Sequence, residues 1–444
     1  MQQQHQQKEP HQHQPPVAII QRLTMSGWTS SSWVSSTLLL IQLLVFTLFA
    51  VSSDGKRLFL CEKGSPRVFS SFSARIHPAY LQEPGHCASP TDLRPRWMSR
   101  LADSRLLSRI SMPGTHDSLA LHGGLVWQCQ SMPLAAQLAA GVRALDVRCR
   151  HLSGGRFAIY HSFNYQQIDF DGVLAIVAEF LAENPSETVL MRVKKEWISD
   201  PSFGGPSFEE TFLRYRQMFN GLFYQSSEGG GHNGVESFNA LTLGEVRGKV
   251  VVLQDFETSE CDGKDVGLQV GNGGDEKLTP THVRHHKVYG PLWSEAVIQD
   301  QFAIYTIWSM YYNKWVPIKE HLQVANDSLI NSTAPNGPSP PFYINFLSAS
   351  VGVMPYFAAS GNVAWGTDGE RQYFGLISGT STHQYDDYPR EKCVLDNRYC
   401  IVHFEGMNML TWELLTQRKY AFVGIVFADF PGCGLLQAII DVNF

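Results

Sequence analysis

From Pro95 onward, short apolar runs alternate with segments whose apolar positions recur at helical spacing. Strands are predicted over Arg109–Met112, Arg143–Arg148, Phe157–His161, Thr188–Val193, Lys249–Gln254, Phe342–Phe346 and Phe422–Asp429. Helices are predicted between them, over Pro133–Ala140, Gly172–Glu183, Phe208–Leu222 and Met409–Arg418. In Gly172–Glu183 the stripe Val173, Ile176, Val177, Phe180 and Leu181 marks one buried face. Asp171 is the expected N-cap and Pro185 the stop. Gly- and Ser-rich stretches at Ser226–Gly234 and Gly271–Gly274 read as loops, as does Asn326–Pro341. Short strands alternating with helices point to a parallel α/β architecture.

The first ninety residues follow another pattern. Residues 1–24 are rich in Gln, His and Pro and too poor in apolar residues to build a core, so a disordered head is expected. His5, His11 and His13 there read as a solvated tail. Residues 25–53 hold the apolar run Thr37–Ala50, followed by the small-x-small site Ala50-Val-Ser52. That length suits a secretory signal peptide, with an uncleaved signal anchor as the alternative. A start at Met25 leaves no Lys or Arg ahead of the run, and Arg22 supplies one if translation starts at Met1. Residues 54–94 form an N-terminal extension, and 95–444 the catalytic unit. The 8 cysteines are even in number and show no C-x-x-C metal pattern, which suits an oxidising compartment. Two glycosylation sequons, Asn326-Asp-Ser328 and Asn331-Ser-Thr333, fall in the predicted surface loop. Together these features favour a secreted or membrane-anchored protein.

Composition narrows the partners. The chain of 444 residues is 43% hydrophobic and carries a net charge of −6. It lacks the basic excess that nucleic-acid binding uses, and it has apolar content for a large core.

In a parallel barrel, chemistry sits where strands end at their carboxyl side. The first strand runs into Pro113-Gly-Thr-His116-Asp117. The next ends in Asp146-Val-Arg148, then come Tyr160-His161, Val193-Lys-Lys-Glu196 and Ala428-Asp429. This set suits phosphoryl transfer: one His removes a proton from an attacking hydroxyl, and a second protonates the leaving oxygen. An Arg holds the phosphate, and a carboxylate orients a His tautomer.

The segments Ile110–Ser118, Gly141–Arg148, Tyr160-His161, Asn184–Thr188 and Val193–Glu196 closely resemble bacterial-type phosphatidylinositol-specific phospholipase C (X-domain family). Arg247–Val250, Val297–Asp300, Tyr343–Phe346 and Val423–Asp429 agree in order. The resemblance spans roughly Pro95 to the C-terminus and implies a distorted, incomplete (β/α)8 TIM-type barrel. It implies a phosphodiesterase of lyase type, releasing diacylglycerol and inositol 1,2-cyclic phosphate. His116 would be the general base, supported by Asp429. His161 would be the general acid, assisted by Asp117, and Arg148 would grip the phosphate. Lys194, Asp300 and Phe302 match positions that bind inositol. Arg148 stands where calcium-dependent relatives carry ligands, so the resemblance implies no metal and no cofactor. The partner would be a phospholipid at a membrane surface.

The sequence departs from the family after Val250–Gln254, where Asp255 replaces an Arg that contacts the headgroup. Asp255 could still accept from inositol hydroxyls. Extra material occupies Glu257–His286 and Leu322–Pro341. Trp127 matches a membrane-inserting position, and a partly buried packing Trp is the alternative. Glu196 shares the strand face of Lys194 and could pair with it. His282, His285 and His286 read as a solvated loop. Cleavage of glycosylphosphatidylinositol anchors, another phospholipid headgroup and a catalytically silent lipid-binding barrel remain as alternative functions.

Overall fold

A computed structural model describes residues 93–196, 205–225, 238–257, 267–271, 284–288, 294–331, 340–361 and 406–444, with five short strand segments between 363 and 402. The described residues all belong to the unit Lys56–Phe444. The expected head, signal segment and extension lie outside the described residues, save 93–94.

The main sheet contains β1 (Met112–Thr115), β2 (Ala144–Leu152), β3 (Arg156–His161), β4 (Asn164–Asp169), β5 (Val189–Lys195), β6 (Val250–Asp255), β7 (Leu268–Gly271), β8 (Arg284–Val288), β9 (Ser294–Gln299), β10 (Phe342–Phe346) and β11 (Ile425–Ala428). Its order is β7-β6-β5-β2-β1-β11-β10-β9-β8, with β3 and β4 continuing as a hairpin from β2. Among the described residues eight strands, β1, β2, β5, β6, β7, β9, β10 and β11, are joined only by parallel ladders. Each follows the previous one in the chain, as in a (β/α)8 barrel. No ladder among the described residues joins β7 to β9, so the barrel is incomplete.

Helices cover the outer face: α1 (Leu134–Ala140), α2 (Phe170–Glu183), α3 (Phe208–Met218), α4 (Val316–Asn331), α5 (Met407–Gln417) and α6 (Cys433–Asp441). Helix α2 begins two residues earlier than expected. Asp169 occupies the N-cap position, and Asp171 lies in the first turn, where its charge suits the helix dipole. Helix α3 opens on a capping box, Ser207 with Glu210.

Helix α4 corrects two expectations. The stretch from Asn326 to Asn331 is helical, because Ile318, Leu322 and Ala325 form a fully buried stripe. Asn326 is buried, and its Oδ1 accepts from the Ala421 amide at 2.9 Å. The first sequon is therefore part of the fold and not a surface loop.

The two strand faces divide the core. Outward residues such as Leu145, Val147, Met191 and Val193 pack with Val173, Val177 and Phe212 from the helices. Inward residues form the barrel interior, with Met112, Ala144, Leu190, Val251, Ala296, Ile298, Phe342, Ile344 and Phe427 in one cluster. Strands buried on both faces read as nearly continuous apolar runs, as β10 does apart from Asn345. Gly114 is required by close approach: a Cβ there would meet the Phe427 ring at 2.8 Å. Moving up each strand by two residues along this inner face, the apolar layer changes to a charged one. Met112 and Gly114 lead to His116, Ala144 to Asp146 and Arg148, and Leu190 to Arg192 and Lys194.

Motifs at the opposite, N-terminal end hold structure. Arg143, fully buried, donates from Nε to Glu187 at 2.9 Å and to the carbonyls of Leu138, Val142 and Pro95. Arg247 donates to the carbonyls of Met98, Leu101 and Ser186 and pairs with Asp103 at 2.6 Å. No helix among the described residues is long and apolar enough to cross a membrane.

Candidate active site

The carboxyl ends of β1, β2, β3, β5 and β11 converge. His116, following β1, sits beside Asp429, following β11, because these strands pair in parallel from Met112↔Ile425 to Thr115↔Ala428. His116 Nδ1 lies 2.7 Å from Asp429 Oδ1. Its other nitrogen, Nε2, lies 2.6 Å from Arg148 Nη2. A guanidinium can only donate, so Nε2 carries the lone pair and Nδ1 carries the proton given to Asp429. The imidazole is neutral. Burial first, then the Arg148 charge, lower its pKa well below the ordinary histidine value.

Arg148 is held by Asp146, whose Oδ2 receives its Nη2 at 3.1 Å and its Nε at 3.3 Å. Asp146 Oδ1 receives Arg192 Nη1 at 3.0 Å. Although burial opposes ionisation, Arg192 and Arg148 keep the Asp146 carboxyl below the usual carboxylate range. Arg192 extends the network with Nε and Nη2 on Asp255 Oδ2, at 3.1 and 2.6 Å. Its guanidinium carbon lies 5.1 Å above the Phe346 ring, which stacks on Phe427 below.

His161, at the end of β3, donates from Nδ1 to the Trp127 carbonyl at 2.7 Å. Asp117 Oδ2 lies 3.2 Å from the same nitrogen and 3.7 Å from Arg148 Nε. The single Nδ1 proton points at the carbonyl, and neither Asp117 oxygen accepts a hydrogen bond. Burial pushes the Asp117 carboxyl up to about 7, and burial followed by Arg148 lowers His161 to about 4. His116 and His161 keep 15% and 16% of their side-chain surface exposed, whereas Asp117 keeps 0% and Asp429 1%. The two imidazoles are thus the reachable groups, each backed by a buried carboxylate.

Three non-glycine residues in the site region have left-handed backbones: Asp117 (φ 40°), Ser162 (φ 54°) and Phe430 (φ 43°). Each lies directly after His116, His161 or Asp429. The turned amides find acceptors: Asp117 on Asp146 Oδ2 at 3.0 Å, Ser162 on Glu196 Oε1 at 3.0 Å, and Phe430 on the Cys129 carbonyl at 2.9 Å. Strain of this kind, fixed by surrounding bonds, concentrates at functional sites.

The residues expected from the sequence are placed as follows. His116, Asp117, Arg148, His161 and Asp429 form one contact network. Lys194 stands between them and Asp255, in register with Arg148 on one side and Asp255 on the other. Asp300 and Phe302 follow β9, partly buried, on a segment whose Gln301 carbonyl receives Lys314 Nζ at 2.9 Å. Trp127 is partly buried, with its ring edge-on to His161 at 5.5 Å. Asp255, expected to meet inositol hydroxyls, is instead buried and clamps Arg192. Glu196 holds the Ser162 turn.

Asp146 was read on the rim without an assigned role, and Arg192, Cys129 and Lys314 were not anticipated. Period-two spacing was the available signal for Asp146 and Arg192, each two residues before a predicted site residue. Cys129 and Lys314 arrive from outside the strands and carry no such signal.

Residues 105–255 match the family model described as phosphatidylinositol-specific phospholipase C, X domain. The 1-phosphatidylinositol phosphodiesterase of Listeria monocytogenes serovar 1/2a is 31% identical over 186 residues, 40% of this chain and 54% of that protein. The protein of the same name from Staphylococcus aureus strain Newman is 30% identical over 165 residues, 35% of this chain and 49% of that protein. The aligned region spans about half the length of these curated relatives. A solved phosphatidylinositol-specific phospholipase C from S. aureus superposes with a TM-score of 0.54 at 22% identity, covering 79% of this chain and 97% of that chain. A double mutant of it gives 0.54 at 21% identity, covering 79% and 97%. The resemblance to this family is borne out, and the fold is that of the bacterial phospholipases C.

Proposed function

We propose that the protein cleaves phosphatidylinositol to diacylglycerol and inositol 1,2-cyclic phosphate. The observation that carries this reading is the pair of reachable imidazoles with Arg148 between them. His116 Nε2 faces Arg148 with its lone pair, ready to take a proton from a hydroxyl that displaces the guanidinium. That hydroxyl, the inositol 2-OH, attacks phosphorus while His161 delivers a proton from Nε2 to the departing glycerol oxygen. The His161 Nδ1–H bond to the Trp127 carbonyl leaves Nε2 as the edge free for this role. An anionic phosphate beside His161 favours its protonated form, offsetting the lowering by burial. Asp429 stabilises the imidazolium formed at His116. Arg148, kept in place by Asp146, stabilises charge developing on the phosphate.

Lys194, Asp300 and Phe302 are the headgroup residues in this reading, and Asp255 acts through Arg192. Arg148 stands where the resemblance puts the ion of calcium-dependent relatives, so this reading requires no metal. The substrate would be met at a membrane surface, with Trp127 at its edge. Secretion or anchoring is proposed from the apolar run Thr37–Ala50 and the even cysteine count.

The test is cleavage of phosphatidylinositol vesicles by purified protein in EDTA, with phosphorus NMR of the products. Cyclic phosphate made by wild type and lost in His116→Ala and His161→Ala is expected. Activity abolished by EDTA would overturn the metal-free mechanism. A wild type inactive on phosphatidylinositol but active on glycosylphosphatidylinositol or another headgroup would move the substrate, not the chemistry. Binding without turnover on any of these lipids would leave a silent lipid-binding barrel.

A further inference from the structure

Cys129 is a free thiol, fully buried, in the middle of the acid–base machinery, and the mechanism above does not use it. Its Sγ lies 3.7 Å from His161 Nδ1, and that nitrogen lies 3.2 Å from Asp117 Oδ2. All three ligand atoms fall within 4.8 Å of one another. A tetrahedral zinc ion with ordinary Zn–S, Zn–N and Zn–O bonds needs an S···N separation of about 3.6 Å and an N···O separation of about 3.3 Å. The distances found are those of a preformed tetrahedral edge. A second observation points the same way. Both oxygens of Asp117 are buried without a hydrogen bond, an arrangement that costs free energy unless a cation or donor fills it.

We infer that Cys129, Asp117 and His161 form a binding site for a thiophilic divalent cation such as Zn²⁺, separate from any requirement of catalysis. The charges balance: thiolate and carboxylate supply two negative charges and the imidazole none. Binding releases the thiol proton, and a proton from Asp117 where it carries one. The His161 proton moves from Nδ1 to Nε2 as Nδ1 becomes a ligand. The Trp127 carbonyl, 2.7 Å from that nitrogen, gives up its hydrogen bond and moves aside as the ion takes the Nδ1 lone pair. The neighbouring group of Cys129, His116 and Asp429 is the weaker choice. Both nitrogens of His116 are engaged there, one by a guanidinium 2.6 Å away. The Arg148 charge near Asp117 is already matched by Asp146.

A cation so held takes Asp117 and fixes His161, and on the phospholipase reading it inhibits cleavage. That consequence rests on the reading of His161 as the acid, but the site does not. The test is titration of the purified full chain with Co²⁺ alone, followed by absorption. Expected are a thiolate-to-cobalt band in the near ultraviolet and tetrahedral bands in the visible, saturating at one ion per chain. Cys129→Ala should remove the thiolate band and weaken binding by at least about 100-fold, since it deletes a direct ligand. Cys149→Ala, the other buried free thiol among the described residues, should keep it. If Cys129→Ala fails to fold, His161→Ala, at a partly exposed position, should weaken binding comparably. No thiolate band in wild type, or a band unchanged in Cys129→Ala, overturns the site. A second arm measures lipid cleavage with micromolar Zn²⁺. Inhibition reversed by EDTA in wild type and absent in Cys129→Ala supports the inhibitory role. Cobalt binding without inhibition would keep the site and overturn that role.

Discussion

Arg148 donates to His116 Nε2 at 2.6 Å, on the ring edge opposite the one that donates to Asp429. This pair of contacts fixes the tautomer before any substrate arrives. On the proposed mechanism it also couples phosphate binding to the base, since a phosphate that draws Arg148 away frees the lone pair.

The tautomer can be reversed by one atom. In Asp429→Asn the amide can donate to Nδ1, moving the ring proton to Nε2, where it blocks acceptance. Turnover should fall by about 10²–10⁴, with the tautomer change visible in ¹⁵N NMR of labelled histidine. Unchanged turnover would remove Asp429 from the mechanism.

Arg148→Lys keeps the charge but loses the fork that spans Asp146 and His116. Turnover should drop by about 10²–10³, the cost of losing one aimed donor. Wild-type turnover should be indifferent to chelators. A lysine variant of wild-type activity would show that charge alone suffices.

Lys314 donates to the Gln301 carbonyl and so supports the segment carrying Asp300 and Phe302. It is fully buried, and burial lowers its pKa to about 7. Lys314→Met should raise KM by about 2- to 12-fold, the value of one hydrogen bond, and leave kcat nearly constant. A fall in kcat at constant KM would contradict a positioning role.

Glu187 neutralises Arg143 at the end of the barrel remote from the chemistry. Glu187→Ala leaves a buried guanidinium uncompensated and should cost about 3–5 kcal/mol in urea denaturation. The folded fraction should retain wild-type turnover.

His321 is buried, and its Nε2 donates to the Val297 carbonyl at 3.0 Å, while burial lowers its pKa from 6.5 to about 4. Between these values the unfolded chain binds a proton that the folded chain refuses. Stability attributable to this group is therefore intact above pH 6.5 and lost as pH falls toward 4, by about 3 kcal/mol. His321→Gln keeps the donor and cannot titrate. The urea midpoint of the variant should fall less steeply than wild type over that window, and parallel slopes would refute the assignment.

The sequence by itself determined the strand–helix alternation and the residues that could do chemistry. Phe342–Phe346 appears as predicted because a strand buried on both faces is largely apolar, and its one amide side chain, Asn345, is hydrogen-bonded to Gln299 and the Ile318 carbonyl. His116, Arg148, His161 and Asp429 could be read because strand ends are local features, and their place in a parallel barrel follows from strand order. Helix α4 was misread beyond Asn326 because polar residues suggested a loop, while burial of Ile318, Leu322 and Ala325 against the sheet carried the helix onward. Only the tertiary structure decided how charges pair across strands. Asp255 meets Arg192 because their strands are neighbours, with Arg192 opposite Leu253 and Lys194 opposite Asp255. Cys129 reaches His161 through a loop that no period predicts. Pairings between groups 32 or 63 residues apart depend on register and burial, which are set by the whole fold and by no single segment.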